Sequence, residues 1–181
     1  MLTVICGGMF SEKTTELQRR GKRLKRAGKE VLYVKPDFDN RYSEEDIVTH
    51  DGKKVPATSL STDIPHVLFL MLPPKVDVIL IDEVQFFNED ILRVINVLLE
   101  EGTTVIVAGL DLDFEAKPFT ITSTLMARAE EVVKLKAVCT QCGNDAWVSY
   151  KEPNGKRIEL GTDEYKPMCR KCFYKKQEGR N

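Results

Sequence analysis

Three groups of residues in this chain have types and spacings that could do chemistry. The first is Gly7-Gly8-Met9-Phe10-Ser11-Glu12-Lys13-Thr14, which nearly fits the pattern G-x-x-x-x-G-K-[ST]. In such a stretch, successive backbone N–H groups and a helix N-terminus form a cradle for an anion such as a phosphate. Lys13 would place a charge on the β- and γ-phosphates, and the Thr14 hydroxyl would bind Mg²⁺. Glu12 stands where the pattern has its second glycine. A carboxylate about 6 Å from a phosphate charge, at an effective dielectric constant of ~20, is repelled by roughly 2.8 kcal/mol, so Glu12 must point away or pair with a base.

The second group is Asp82-Glu83-Val84-Gln85-Phe86-Phe87, directly after the apolar run VDVILI. An aspartate at the C-terminal end of a buried strand is the usual partner of a phosphate loop, facing the same Mg²⁺. The adjacent Glu83 could act as a general base. The third group is cysteine. Cys139-x-x-Cys142 and Cys169-x-x-Cys172 share one spacing, and only Cys6 stands apart. Four thiolates in two turns make a closed tetrahedral zinc site with no open position for catalysis. A redox dithiol is the competing reading of the same pairs.

These groups need elements to position them. Leu2–Cys6 reads as a buried strand leading into the glycines, and Thr14–Ala27 as a helix with Gly28 as its stop. Gly21 inside that helix suggests close packing, since glycine there costs roughly 1 kcal/mol against alanine. Glu30–Lys35, Val76–Ile81, Thr103–Ala108 and Val132–Leu135 read as further strands. A short helix is predicted around Ile64–Leu72, capped by Asp63, and an amphipathic one over Asn88–Glu101. Strands without alternation, separated by helices, give an α/β fold whose parallel sheet is covered on both faces. From about residue 137 the pattern changes to cysteines and turn residues with no long helix. The chain therefore divides into a nucleotide-binding body, 1–136, and a small metal-stapled module, 137–181. About 45 residues rarely fold unaided, and structural zinc can supply roughly 10–16 kcal/mol.

Composition excludes several classes. Lys and Arg total 27 against 28 Asp and Glu, a net charge of −1. A protein that neutralises many phosphates would be basic, so a nucleic-acid partner is disfavoured, and the run Arg19–Arg26 reads as a solvated or subunit-facing helix side. The longest apolar run, Val67–Leu72, is far short of a membrane span. The apolar start has no basic leader, so it reads as a strand and not as an export signal, and the protein is expected in the cytoplasm.

Taken together, GGMFSEKT, DEVQFF and the two cysteine pairs resemble the small, zinc-containing thymidine kinases. Asp39-Asn40-Arg41-Tyr42-Ser43, Thr49-His50-Asp51, Gly109-Leu110-Asp111-x-Asp113-Phe114-x-x-Lys117-Pro118-Phe119 and Tyr165-x-x-x-Cys169 agree with this, in order, over nearly the whole chain. The resemblance implies a P-loop NTPase-like sheet with a zinc-ribbon-like C-terminal domain, and phosphorylation of the thymidine 5′-hydroxyl by ATP. It implies Glu83 as the base, and Lys13, Thr14 and Asp82 on the γ-phosphate and Mg²⁺, with Gln85 also near the nucleotide. Arg41 would lie near the transferring phosphate or the substrate's 5′ end. Met9, Gln85, Phe86, Leu110 and Phe114 would wall the nucleoside pocket, and Tyr165 would lie across the thymine. A loop at about 152–164, including Ile158, Leu160 and Gly161, would close over the base. The resemblance further implies a homotetramer with feedback by dTTP.

Two other classes suit parts of this pattern. A P-loop ATPase acting on a macromolecule would share the Asp82-Glu83 pair, and a catalytically silent nucleoside-binding protein would accommodate Glu12. Thymidine-dependent release of ADP separates both from a kinase.

Overall fold

The computed structural model describes residues 1–37, 46–48, 52–152 and 164–178. Arg41, Ile158, Leu160 and Gly161, whose roles the resemblance implies, and nearly all of the 152–164 loop fall outside these residues, as does His50.

Six strands form one parallel sheet: β1 (Leu2–Cys6), β2 (Val31–Pro36), β5 (Thr58–Leu60), β6 (Val78–Ile81), β7 (Thr104–Gly109) and β8 (Glu131–Lys134), in the order β5-β2-β6-β7-β1-β8. Two short antiparallel ribbons accompany it, β3 (Asp46–Val48) with β4 (Lys54–Pro56), and β9 (Val148–Tyr150) with β10 (Lys166–Met168). The helices are α1 (Lys13–Arg26), α2 (Leu68–Met71), α3 (Asp90–Glu100), α4 (Thr120–Arg128) and α5 (Arg170–Glu178).

The central strands lack polar alternation because both faces of the sheet are covered. Leu2, Val4, Cys6, Ile79, Ile81, Val105 and Val107 point to one side, against Ile91, Val94, Ile95 and Leu98 of α3 and Ile121 and Leu125 of α4. Their neighbours Ile5, Val78, Leu80, Ile106 and Ala108 point to the other side, where Leu17 of α1 and Tyr33 join them. Leu99 of α3 is partly buried and packs against the first cluster. A third cluster, Cys139, Val148, Tyr150, Met168 and Phe173, lies around the β9–β10 ribbon.

Several elements depart from the sequence reading. The helix expected over Ile64–Leu72 is a 3-10 turn, Pro65–Val67, running into the four-residue α2; no side chain caps it, and Pro65 occupies its first position. Helix α4 was not foreseen. Its sequence, TITSTLMAR, is rich in β-branched residues and has no side-chain cap, so burial of Ile121, Thr122 and Leu125 against the sheet holds it. The C-terminal region carries the nine-residue α5. Among the described residues, no helix is long and apolar enough to cross a membrane.

Gly21 is buried in α1, and a Cβ there would lie 2.1 Å from the Tyr33 hydroxyl and 3.1 Å from Leu80 Cδ2. Gly21→Ala gains about 1 kcal/mol of helix propensity. Overpacking costs about 1–3 kcal/mol, so we expect a net loss, read as a lower urea midpoint. A second expectation concerns pH. Glu16 accepts from Arg19 Nε (2.5 Å) and Arg20 Nε (2.8 Å), and the Arg19 bond above all holds its carboxyl down to about 2. A folded pKa below the unfolded one gives stability that is complete above about pH 4.5 and lost as pH falls towards 2. Because the pairs are partly solvated, Glu16→Gln should remove about 1 kcal/mol at pH 7 and flatten the acid limb between those values.

Candidate active site

The loop between β1 and α1 is held in an uncommon backbone shape. Gly7 has φ +142°, and a Cβ there would come within 2.3 Å of the Leu135 carbonyl oxygen, so the first position admits only glycine. Phe10 and Glu12 are both left-handed, at φ 64° and 62°. Such backbone costs of order 1 kcal/mol or more for a residue with a Cβ. Glu12 therefore adopts the conformation that glycine would take freely, while its side chain is exposed, as the charge argument requires.

Lys13 is 9% exposed, and its Nζ donates to the Gly8 carbonyl (2.8 Å), as does Ser11 Oγ (2.8 Å). Burial lowers the Lys13 pKa, and the charges of Glu83, Asp82 and Asp111 act in the opposite direction. Thr14 Oγ1 donates to Asp82 Oδ2 (2.9 Å), so the start of α1 and the end of β6 meet at one point. Burial first, then the charge of Glu83, pushes Asp82 up to about 7. A cation at this point would favour the ionised form.

Glu83 is itself left-handed, at φ 49°. Its Oε2 accepts from Gln85 Nε2 (2.6 Å), while Gln85 Oε1 accepts from the Leu110 N–H (3.0 Å). Gln85 is buried, and its amide bridges the ends of β6 and β7, fixing the direction of the Glu83 carboxylate. A Cβ at Gly109 would fall 2.7 Å from Gln85 Oε1 and 2.9 Å from Val84 Cγ1, so any larger residue there would have to displace the Gln85 amide. Asp113 accepts from the N–H groups of Glu115 and Lys117 and so shapes the loop that carries Phe114.

The expected site residues thus fall into two sets. Gly8, Ser11 and Lys13 are joined by hydrogen bonds within the loop, and Thr14, Asp82, Glu83, Gln85 and Leu110 by a second hydrogen-bonded chain. Met9, Phe86, Phe114 and Tyr165 are half-buried, and the Tyr165 ring lies 5.6 Å from Lys151 Nζ. Phe87 is a core residue, and His66 is exposed on the 3-10 turn before α2. Sequence reasoning missed three neighbours. Asp111 is buried and ion-paired with Lys134 (2.8 Å), Lys151 is buried and paired with Glu164 (3.1 Å), and Ser149 accepts from the Met9 N–H (2.7 Å). Asp111 belongs to the Gly109–Phe119 motif, whose acidic residues mark it in the sequence. Nothing in the pattern around Ser149 or Lys151 marks either residue.

The Sγ atoms of Cys139, Cys142, Cys169 and Cys172 all lie within 4.8 Å of one another, and Cys142 and Cys169 are 3.6 Å apart. A tetrahedron of Zn–S bonds about 2.3 Å long has S···S edges of about 3.8 Å, so the donor set fits zinc. Burial acts to raise Cys139, but backbone N–H donors and the Cys142 thiol prevail and bring it down to about 6. Cys172 is pushed up to about 12, chiefly by Cys169. Four sulfurs this close share protons unless a cation takes their place. The Arg170 guanidinium, next to Cys169 in the chain, stacks 3.6 Å from the Trp147 ring centroid.

The family model described as thymidine kinase matches residues 1–173. A thymidine kinase of Bacteroides thetaiotaomicron is 44% identical over 174 residues, covering 95% of this chain and 86% of its own length. One from Bacteroides fragilis has the same identity and coverage. Among solved structures, the replication initiator DnaA bound to AMPPCP and single-stranded DNA aligns with a TM-score of 0.48 at 18% identity, covering 75% of this chain and 40% of that one.

The thiolate geometry leads to a direct expectation. The intact chain should hold about one zinc ion, measured by elemental analysis, and Cys172→Ser should lose it together with several kcal/mol of thermal stability. Full retention of zinc in that variant would remove Cys172 from the ligand set.

Proposed function

The chain belongs to the thymidine kinase family, and on that footing we propose that it moves the γ-phosphoryl group of ATP to the 5′-hydroxyl of thymidine, giving dTMP. The observation that carries this reading is the Thr14–Asp82 hydrogen bond, with Glu83 beside it and oriented by Gln85. It brings the phosphate loop and the acidic pair to one end of the sheet, where an attacking hydroxyl and a triphosphate can be aligned.

In this proposal the loop amides from Gly7 to Thr14 and the Lys13 ammonium seat the β- and γ-phosphates. Thr14 and Asp82 would hold Mg²⁺, which when bound neutralises charge on the phosphates. The thymidine 5′-oxygen bonds to the γ-phosphorus as the bond to the β–γ bridging oxygen breaks, ADP leaves, and the hydroxyl proton passes to Glu83. The fixed Glu83–Gln85–Leu110 chain keeps the carboxylate from reorganising during that transfer. Arg41 would steady the 5′ end. Met9, Phe86, Leu110 and Phe114 would wall the nucleoside, with Tyr165 across the base and Ile158, Leu160 and Gly161 reading its edge. The module at 137–181, stapled by zinc on the four cysteines, would carry that covering loop on the body at 1–136. A homotetramer inhibited by dTTP completes the proposal.

Glu83→Gln tests it. The variant should fold and bind ATP and thymidine with affinities within about threefold of the parent, while kcat for thymidine-dependent ADP release falls about 10²–10⁴-fold. Undiminished turnover would exclude Glu83 as the base.

A further inference from the structure

We propose that Ser149 is a positioning residue for the phosphate loop, and that through it the occupancy of the thiolate cluster sets how well the loop binds a triphosphate. This rests on the reading of the loop as the seat of ATP. Ser149 sits in the middle of β9, 3% exposed, and its Oγ accepts the Met9 N–H at 2.7 Å across 140 residues of chain. Met9 lies between Gly8, whose carbonyl takes both Lys13 and Ser11, and the left-handed Phe10. The bond therefore fixes the loop at the point where its strained stretch begins.

The contact is close on both sides. A Cβ at Gly8 would be 2.9 Å from Ser149 Oγ, so the bare backbone at position 8 is what lets the hydroxyl reach Met9.

The ribbon that carries Ser149 depends on the cysteines. It has two strands of three residues each, with Ser149 opposite Pro167, and an isolated pair of this size is marginal in water. Thr140 N–H donates to the Pro167 carbonyl (2.9 Å) and Trp147 N–H to that of Met168 (2.8 Å). Both ends of the ribbon's support thus run straight into Cys139–Cys142 and Cys169–Cys172. Cys139 itself packs in the small core with Val148, Tyr150, Met168 and Phe173. A cation that draws the four sulfurs together holds the ribbon, and the ribbon holds Met9.

The test is calorimetric titration of the zinc-loaded chain, without nucleoside, using Mg²⁺ and the non-hydrolysable analogue AMPPCP. Ser149→Ala should weaken binding about three- to tenfold, the range of one buried hydrogen bond, and Ser149→Thr, which keeps the hydroxyl, should stay within about twofold of the parent. Removing zinc with a chelator should weaken the parent by a similar factor and add less than about twofold to Ser149→Ala. Parent-like affinity in Ser149→Ala, or equal chelation losses in parent and variant, overturns the proposal. Amide hydrogen exchange at Met9 in the parent gives a readout independent of any variant's folding. Protection that falls on chelation supports the link, and unchanged protection overturns it. A parent that fails to bind AMPPCP refutes the loop's role, whereas the Met9 exchange still decides whether the ribbon holds the loop.

Discussion

The Thr14–Asp82 hydrogen bond is the constraint on which the rest of the architecture depends. It spans 68 residues and joins the first turn of α1 to the end of β6. β6 does not neighbour β1; β7 lies between them in the sheet. The two groups meet only because parallel strands all deliver their C-terminal ends to the same edge, where the helix that follows β1 begins. A shift of one residue in the register of β6 against β7 would turn Asp82 to the opposite face and break the contact. The buried pairing Val78↔Thr104 through Ile81↔Val107 guards against such a shift, since both faces of these strands are packed.

Around that point the molecule concentrates cost. Three non-glycine residues with left-handed backbone, Phe10, Glu12 and Glu83, flank Lys13 and Asp82. Asp82 and Lys13 are buried charges that each environment disfavours taken singly. Their mutual attraction and the Gly8 carbonyl offset part of this, and the two packed faces of the sheet stabilise the remainder. Such preorganised groups need not reorganise when charge moves, which is how a kinase site gains rate. The Gln85 amide serves the same end. Its two hydrogen bonds point in opposite directions along the chain, so Glu83 cannot swing without breaking a buried bond.

The elements that position the site were legible where local and global preferences agreed. β1, β2, β6, β7, β8 and α3 fall within a residue or two of their expected limits because strand length, apolar runs and glycine stops all say the same thing. The convergence of Lys13, Thr14, Asp82 and Glu83 followed from motif chemistry. Helix α4 was illegible because its β-branched residues read as strand and only the sheet beneath them selects helix. The Asp63 cap does not form because Ile64, and not Asp63, directly precedes the 3-10 turn, and its apolar side chain cannot accept a hydrogen bond.

Residue order alone determined which groups this protein can bring to chemistry, namely a Gly7–Thr14 turn close to a phosphate-loop pattern, an aspartate–glutamate pair after a buried strand, and four cysteines in two pairs. These are local patterns, in which the spacing itself is the mechanism. Only the folded chain decided that Glu12 turns outward, that Gln85 spends both ends of its amide on orienting Glu83, and that a serine of β9 reaches the phosphate loop. Each of those outcomes is a contact between segments distant in sequence, set by packing geometry to a few tenths of an ångström, and no local preference of the residues involved encodes it.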